Sequence, residues 1–218
     1  MPDILSPSEA KQALDGLSAY QSPAPLLLVI SGPSGVGKDS VIQVLEERGH
    51  PFAFVVTATD RRIRTGEVDG VDYQFCTPIE FQRMIDNDEL LEWAAVYDHR
   101  KGVPKENARR AMASGKDAIM RLDVQGAATV KTKEPAALTV FIAPPSLDAL
   151  IGRLERRKTD SPEQLAQRVR EAVSEIERIP EFDYVIVNRE DQLDAAADDL
   201  MAILRAERLR AVPRQIGA

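Results

Sequence analysis

Leu26-Leu27-Leu28-Val29-Ile30-Ser31-Gly32-Pro33-Ser34-Gly35-Val36-Gly37-Lys38-Asp39-Ser40 is the stretch that decides the fold of this chain. Its opening run is apolar and partly β-branched, which predicts a strand buried on both faces. Gly32 to Lys38 follow the spacing G-x-x-x-x-G-K, which acquires its meaning from a strand before it and a helix after it. Val41, Ile42, Val44 and Leu45 supply the helical period. The glycines let successive backbone N–H groups converge into an anion-binding nest, and the helix adds the positive end of its dipole. Lys38 brings a point charge to the β- and γ-phosphates of a nucleoside triphosphate. A glycine-rich turn without a ligand would explain the glycines but not the lysine.

Outward from this loop, strand-like runs recur at 26–31, 52–56, 118–122, 138–142 and 184–187. Helical patterns over 39–48, 125–133, 147–157, 163–178 and 192–208 separate most of them. Short apolar strands alternating with helices predict an α/β fold of three layers, a parallel sheet covered on both faces. Residues 57–113 break the rhythm: they are polar and turn-rich around Gly66-Glu67-Val68-Asp69-Gly70, and read as an inserted substrate-binding subdomain. An arginine-dense lid is expected over 146–170, which leaves 26–56, 114–145 and 171–210 as the core. Ahead of the core, 1–25 reads as a helical extension, with Ser6 as N-cap, Pro7 at the first helical position and Glu9 closing a capping box.

A chain of 218 residues is long enough to bury a full core in one domain. Its 44% apolar and 29% charged residues are ordinary for a soluble protein. The net charge of −7 points away from a nucleic-acid partner, which selects a basic face. The single cysteine, Cys76, leaves no internal disulfide and reads as a small packing residue. His50 and His99 lie far apart with no ligand spacing around them, so no transition-metal site is expected. No run reaches the roughly 18 apolar residues of a membrane span. Asp3, Glu9 and Asp15 against Lys11 are unlike the acid-poor composition of a transit peptide, and a cytoplasmic setting is expected.

The second informative stretch is Thr57-Ala58-Thr59-Asp60-Arg61-Arg62-Ile63-Arg64-Thr65-Gly66-Glu67-Val68-Asp69-Gly70-Val71-Asp72-Tyr73-Gln74-Phe75. On chemistry alone, such arginines and a tyrosine either hold an anion or form a solvated basic loop. Here the sequence resembles guanylate kinase: R-x-x-R-x-G-E-x-x-G-x-D-Y-x-F is that family's GMP-binding signature. Glu89-Leu90-Leu91-Glu92-Trp93, Leu122-Asp123-Val124-Gln125-Gly126, Ile142-Ala143-Pro144-Pro145-Ser146, Arg153-Leu154-Glu155-Arg156-Arg157 and Val185-Ile186-Val187-Asn188 follow in the family's order. The likeness spans about residues 26–208.

The resemblance implies a P-loop NTPase fold with an inserted GMP-binding subdomain, and transfer of phosphate from ATP to GMP with Mg²⁺ accompanying ATP. Gly32, Pro33, Ser34, Gly35, Val36, Gly37, Lys38, Asp39 and Ser40 would bind ATP, with Asn188 at the adenine. Arg61 and Arg64 would fork onto the GMP phosphate, helped by the Tyr73 hydroxyl. Thr57, Glu92 and Asp123 would read guanine, whose N1–H and N2–H donors meet acceptor-only carboxylates. On its own, Glu92 reads as an exposed acid at a helix end; in register with the motif it reads the base. Lys38, Arg157 and Arg168 would serve catalysis, with Arg153 a weaker candidate. Phe75, Phe81 and Trp93 are assigned to the core.

Two positions depart from the family pattern, and both resemble its branch in plant organelles and some bacteria. Asp39 stands where most phosphate loops carry Ser or Thr. A carboxylate beside a triphosphate needs a cation between them, so Asp39 is expected to face Mg²⁺; the alternative is an acid that merely complements the first helical turn. Lys101-Gly102-Val103 replaces a Tyr-Gly-Ser/Thr run, so that Lys101 would meet the GMP phosphate with a charge. Two other functions compete. Ribose 1,5-bisphosphate phosphokinase shares the Gly-Lys-Asp-Ser loop, and non-catalytic guanylate-kinase-like binding modules typically lack an intact one. No nucleic-acid or membrane partner is expected.

Overall fold

The computed structural model describes residues 24–96, 99–155 and 161–214, with positions 6, 8, 11, 14, 15, 17, 20 and 216. The expected N-terminal helix and Arg157 fall mainly or wholly outside these residues. The chain opens with β1 (Leu27–Ser31), α1 (Lys38–Glu47) and β2 (Ala53–Phe54). It continues through β3 (Ala58–Thr59), β4 (Gln74–Phe75), α2 (Pro78–Asp86), β5 (Leu90–Val96), β6 (His99–Pro104) and α3 (Lys105–Ala113). It closes with β7 (Ala118–Arg121), α4 (Val124–Lys133), β8 (Leu138–Ala143), α5 (Leu147–Glu155), α6 (Pro162–Glu177), β9 (Tyr184–Val187) and α7 (Leu193–Arg208).

The first and last groups build a five-stranded sheet of order β2-β7-β1-β8-β9, every pair parallel. All five residues of β1 are buried, and the two-residue period of a strand divides them between two cores. Leu28 and Ile30 pack with Val41, Ile42 and Leu45 of α1 and with Leu200 and Leu204 of α7. Leu27 and Val29 pack with Ala108 and Ala111 of α3 and with Ala127 and Val130 of α4. An apolar surface on each face must be covered, and three layers result.

The middle group forms a second sheet of order β4-β3-β6-β5, mixed in direction. Its core is small: Ala58, Phe81, Met84 and Leu90, with Cys76 packed against them. Burial, with the nearby Asp60 and Glu80 charges, pushes the Cys76 thiol up to about 11, so it is an inert packing group. Polar contacts do much of the fastening. Arg100 Nε donates to Asp60 Oδ2 at 2.7 Å, and its guanidinium lies 4.9 Å from the Phe81 ring centroid. Burial alone would raise the Asp60 carboxyl, but the bonds from the Arg100 backbone and side chain overcome it and hold the group below its ordinary value. α2 starts with a capping box in which Thr77 Oγ1 accepts from the Glu80 backbone N–H at 3.2 Å and Glu80 Oε2 from that of Thr77 at 2.6 Å.

Phe81 is fully buried and Phe75 half-buried. Trp93 corrects the expectation of a core residue: it is 45% exposed. Adjacent residues of a strand point to opposite faces, and on β5 it is Glu92 that turns inward.

Candidate active site

β1 lies in the middle of the core sheet, and both of its neighbours, β7 and β8, come much later in the chain. The loop after β1 therefore opens at the carboxyl edge where connections diverge, the usual crevice of such sheets. Gly32 and Gly37 have φ of +134° and +91°. A Cβ on Gly32 would lie 2.2 Å from the Ile142 carbonyl oxygen, and one on Gly37 would lie 2.6 Å from Asn188 Nδ2. Gly37 is the N-cap of α1, so the unpaired N–H groups of that helix open into the loop. Lys38 Nζ donates to the carbonyls of Pro33, at 3.1 Å, and Gly32.

The loop is held from beneath. Asn188 Nδ2 donates to the Val36 carbonyl at 2.7 Å, and Arg153 donates to the carbonyls of Val36 and Asn188 at 3.3 and 2.9 Å. Asn188, expected at the adenine, thus commits its buried amide nitrogen to the loop backbone. Arg153, a candidate for the lid, does the same. Arg168 lies half-buried on α6.

A cavity of about 170 Å³ has Thr57, Tyr73, Glu92, Lys101, Arg121 and Asp123 among its walls. Glu92 is buried there because Gly126 makes room: a Cβ on Gly126 would lie 3.3 Å from Glu92 Oε2. Asp123 N-caps α4, its Oδ1 accepting from the Gly126 backbone N–H at 2.8 Å. Burial, then the neighbouring Asp123 charge, pushes the Glu92 carboxyl up to about 7, while Lys133 pulls the other way. Lys101 Nζ donates to the Tyr73 hydroxyl at 3.2 Å, joining the two expected phosphate contacts on one wall.

The two signature arginines sit differently. Arg61 donates through both Nη atoms to the Glu67 carboxylate, at 2.8 and 2.5 Å, and its guanidinium lies 5.0 Å from the Tyr73 ring centroid. Glu67 also accepts from the Arg64 backbone N–H at 2.8 Å. The Arg61 bond, then that backbone bond, holds the Glu67 carboxyl down at about 2. Arg64 is exposed, and neither arginine lines the cavity around Glu92 or the one that Lys38 and Asp39 line.

The other cavity, of about 340 Å³, is lined by Lys38, Asp39, Phe54, Thr57, Tyr73 and Arg121 among others. Asp39 sits in the first turn of α1, and its Oδ1 accepts from Arg121 Nη1 at 2.5 Å. Sequence reasoning missed Arg121 and gave Gly126, though it stands in a quoted motif, no role. Their signal was position: Arg121 ends a central strand at its carboxyl edge, two residues before Asp123, and Gly126 falls in the helical turn that Asp123 caps.

Fold and site together define a P-loop phosphotransferase. The guanylate kinase family model matches residues 25–207. Guanylate kinase 2, chloroplastic/mitochondrial, of Oryza sativa subsp. japonica is 47% identical over 195 residues, covering 89% of this chain and 68% of that one. A guanylate kinase of Caldanaerobacter subterraneus subsp. tengcongensis is 42% identical over 185 residues, 85% of this chain and 89% of that one. The crystal structure of guanylate kinase from Anaplasma phagocytophilum aligns with a TM-score of 0.63 at 30% identity, over 86% of this chain and 88% of that one. The chain belongs to the guanylate kinase family.

Proposed function

We infer that the phosphate loop holds ATP, the cavity around Glu92 and Asp123 holds GMP, and the chain moves the γ-phosphate from one to the other, giving ADP and GDP. The activity is that of a guanylate kinase, and the family match supports it. One observation carries the choice of acceptor: two carboxyl groups, one of them buried, share a cavity with a lysine–tyrosine pair. The carboxyls suit the N1–H and N2–H of guanine, and the pair suits its phosphate. Ribose 1,5-bisphosphate offers no base for Glu92, and a binding module needs no intact loop with Lys38.

The attacking phosphate oxygen is already anionic, so no general base is needed. Positioning and charge neutralisation do the work. The loop N–H groups and Lys38 cradle the β- and γ-phosphates; Tyr73 and Lys101 meet the acceptor phosphate; Thr57, Glu92 and Asp123 fix the base. Arg61 and Arg64 complete the phosphate site once the anion competes with Glu67 for Arg61. Arg157 and Arg168 act from the lid, residues 146–170, and exclude water on closure. Asn188 serves the ATP site by holding the loop backbone at Val36.

The donor set fits a metal carried in by phosphates. Asp39 has a 76% exposed side chain and one oxygen on Arg121, Ser40 follows it, and no cage of three acidic, His or Cys groups occurs among the described residues. Mg²⁺ is usually held by one or two carboxylates together with substrate phosphates and water. Asp39 and Ser40 would hold it, and it would neutralise charge on the transferring group. The compartment proposed is the cytoplasm, a reducing setting that suits a sequence with a single cysteine.

A coupled assay offering GMP, AMP and ribose 1,5-bisphosphate in parallel tests this reading. Turnover is expected with GMP. Turnover of the ribose bisphosphate in its place would overturn it.

A further inference from the structure

Arg121 closes β7, in register with Ile30 of β1, and belongs to none of the motifs that placed the other site residues. Its side chain is 49% exposed and lines both cavities, the one beside Lys38 and Asp39 and the one beside Glu92 and Lys101. Among the described residues its one hydrogen bond runs from Nη1 to Asp39 Oδ1. Of the five N–H donors on a guanidinium, the rest remain available to a ligand. The Phe54 ring, 5.1 Å from the guanidinium carbon, backs the group and limits its swing. Arg61 is the contrast: its fork is taken by Glu67, and its side chain is only 10% exposed.

We propose that Arg121 touches substrate during transfer, its guanidinium bridging the γ-phosphate of ATP and the phosphate of GMP, and that Asp39 is the positioning residue that aims it. The proposal rests on the guanylate kinase reading. Two phosphates must approach against their own repulsion, and a planar fork can bond oxygens of both at once. A cation already aimed between them needs little reorganisation when charge spreads over the transferring group. The pairing also explains how an acid is tolerated beside the phosphate loop, because Arg121 offsets the Asp39 charge. In the step, the bond from phosphorus to the ADP oxygen breaks as the bond to the GMP oxygen forms. Arg121 keeps its proton throughout.

The test compares Arg121→Gln, Arg121→Lys and Asp39→Asn in the full chain. It uses steady-state kinetics, thermal melting, and calorimetric binding of GMP, ATP and a bisubstrate analogue with adenosine and guanosine joined through five phosphates. Arg121→Gln should lower kcat about 100-fold, the scale of losing one preorganised donor. It should change the separate affinities for GMP and ATP by less than about threefold, yet weaken the analogue at least about tenfold more than their product. Arg121→Lys should regain part of kcat, keeping the charge without the fork. Measured at saturating Mg²⁺, so that a weaker hold on the metal does not enter, Asp39→Asn should lose about tenfold or less, since the guanidinium remains. Equal losses for Arg121→Gln and Asp39→Asn, with analogue binding that follows the separate substrates, would reduce Arg121 to a partner of Asp39 and overturn the proposal. If Arg121→Gln does not fold, Arg121→Lys decides: a normal melt with kcat at least about fivefold down supports the bridge, and an unchanged kcat removes it. Wild type that turns over no GMP overturns the underlying activity; normal wild-type turnover beside indifferent Arg121 variants overturns the bridge alone.

Discussion

The two sheets of this protein are held by different forces. In the core sheet, β1 and β8 bury all five and all six of their residues, every one of them apolar except Ser31 and Thr139. In the inserted sheet, β3 and β4 have two residues each, and charged contacts such as Asp60–Arg100 and Glu67–Arg61 fasten the loops around them. Burying a large apolar side chain contributes about 1.5–3 kcal/mol, needs no particular orientation, and is indifferent to pH. A hydrogen-bonded ion pair contributes less net, is directional, and can be rearranged by a competing anion. The rigid sheet therefore carries the phosphate loop and, after β7, Asp123, while the sheet held by charge brings Glu92 and Lys101 to the other side of the cavity proposed for GMP.

The sharpest way to break the comparison is Leu28→Ala, at a fully buried position of β1. A loss of about 4 kcal/mol is expected in urea unfolding, with ATP and GMP use failing together. A loss below about 1 kcal/mol would mean that the core sheet is not the main source of stability. Asp60→Asn should cost somewhat less, about 3 kcal/mol, because Arg100 loses its carboxylate beside a site where the Asp60 side chain is only 6% exposed and keeps only the neutral oxygens of Gln82 and Pro78. Its effect should be local. Amide exchange should quicken in β3 and β6 while β1 and β8 keep their protection, and KM for GMP should rise with KM for ATP unchanged. Equal exchange in both sheets would contradict the division.

Glu92→Gln should weaken GMP use by about 2 kcal/mol, since a guanine donor then faces an amide where it met a carboxylate. ATP affinity should hold, and parallel losses in both would point to misfolding. The smallest effect is a pH dependence. A carboxyl raised to about 7 is mostly protonated at pH 6 and mostly ionised at pH 8. GMP affinity should therefore rise several-fold across that interval, relative to Glu92→Gln under the same conditions. The sign for ligand-free stability is opposite. A raised acid costs nothing below its ordinary value near 4.5, and the fold loses stability as pH rises through about 7. A wild-type profile parallel to that of Glu92→Gln would remove Glu92 from guanine recognition.

Much of the core was legible because its signals are local. The loop from Gly32 to Lys38 states its own geometry, and the strands and helices around it repeat their apolar periods over enough residues to be read. In the inserted sheet β3 and β4 offered no such length: two residues cannot show a period, and they form only because β6 and their own loops hold them; β5 and β6 are longer, but Leu90-Leu91-Glu92-Trp93 and His99-Arg100-Lys101-Gly102 show no alternation of apolar and polar residues. The two helices there, α2 and α3, were not assigned, although Thr77-Pro78-Ile79-Glu80 carries the same start signal read at Ser6. Ser161-Pro162-Glu163-Gln164 is another, and it caps α6 as observed.

The sequence by itself determined the phosphate loop, the parallel α/β core and membership in the guanylate kinase family, because each is written in residues near one another in the chain. Tertiary structure alone decided how the charges are spent. It buried Glu92 and turned Trp93 outward, tied Arg61 to Glu67, and brought together Asn188 and Val36 from 152 residues apart and Arg121 and Asp39 from 82. Periodicity reports which face of an element is apolar, but the strength of a charge depends on its distance to a partner and on the water excluded between them, and only folding sets both.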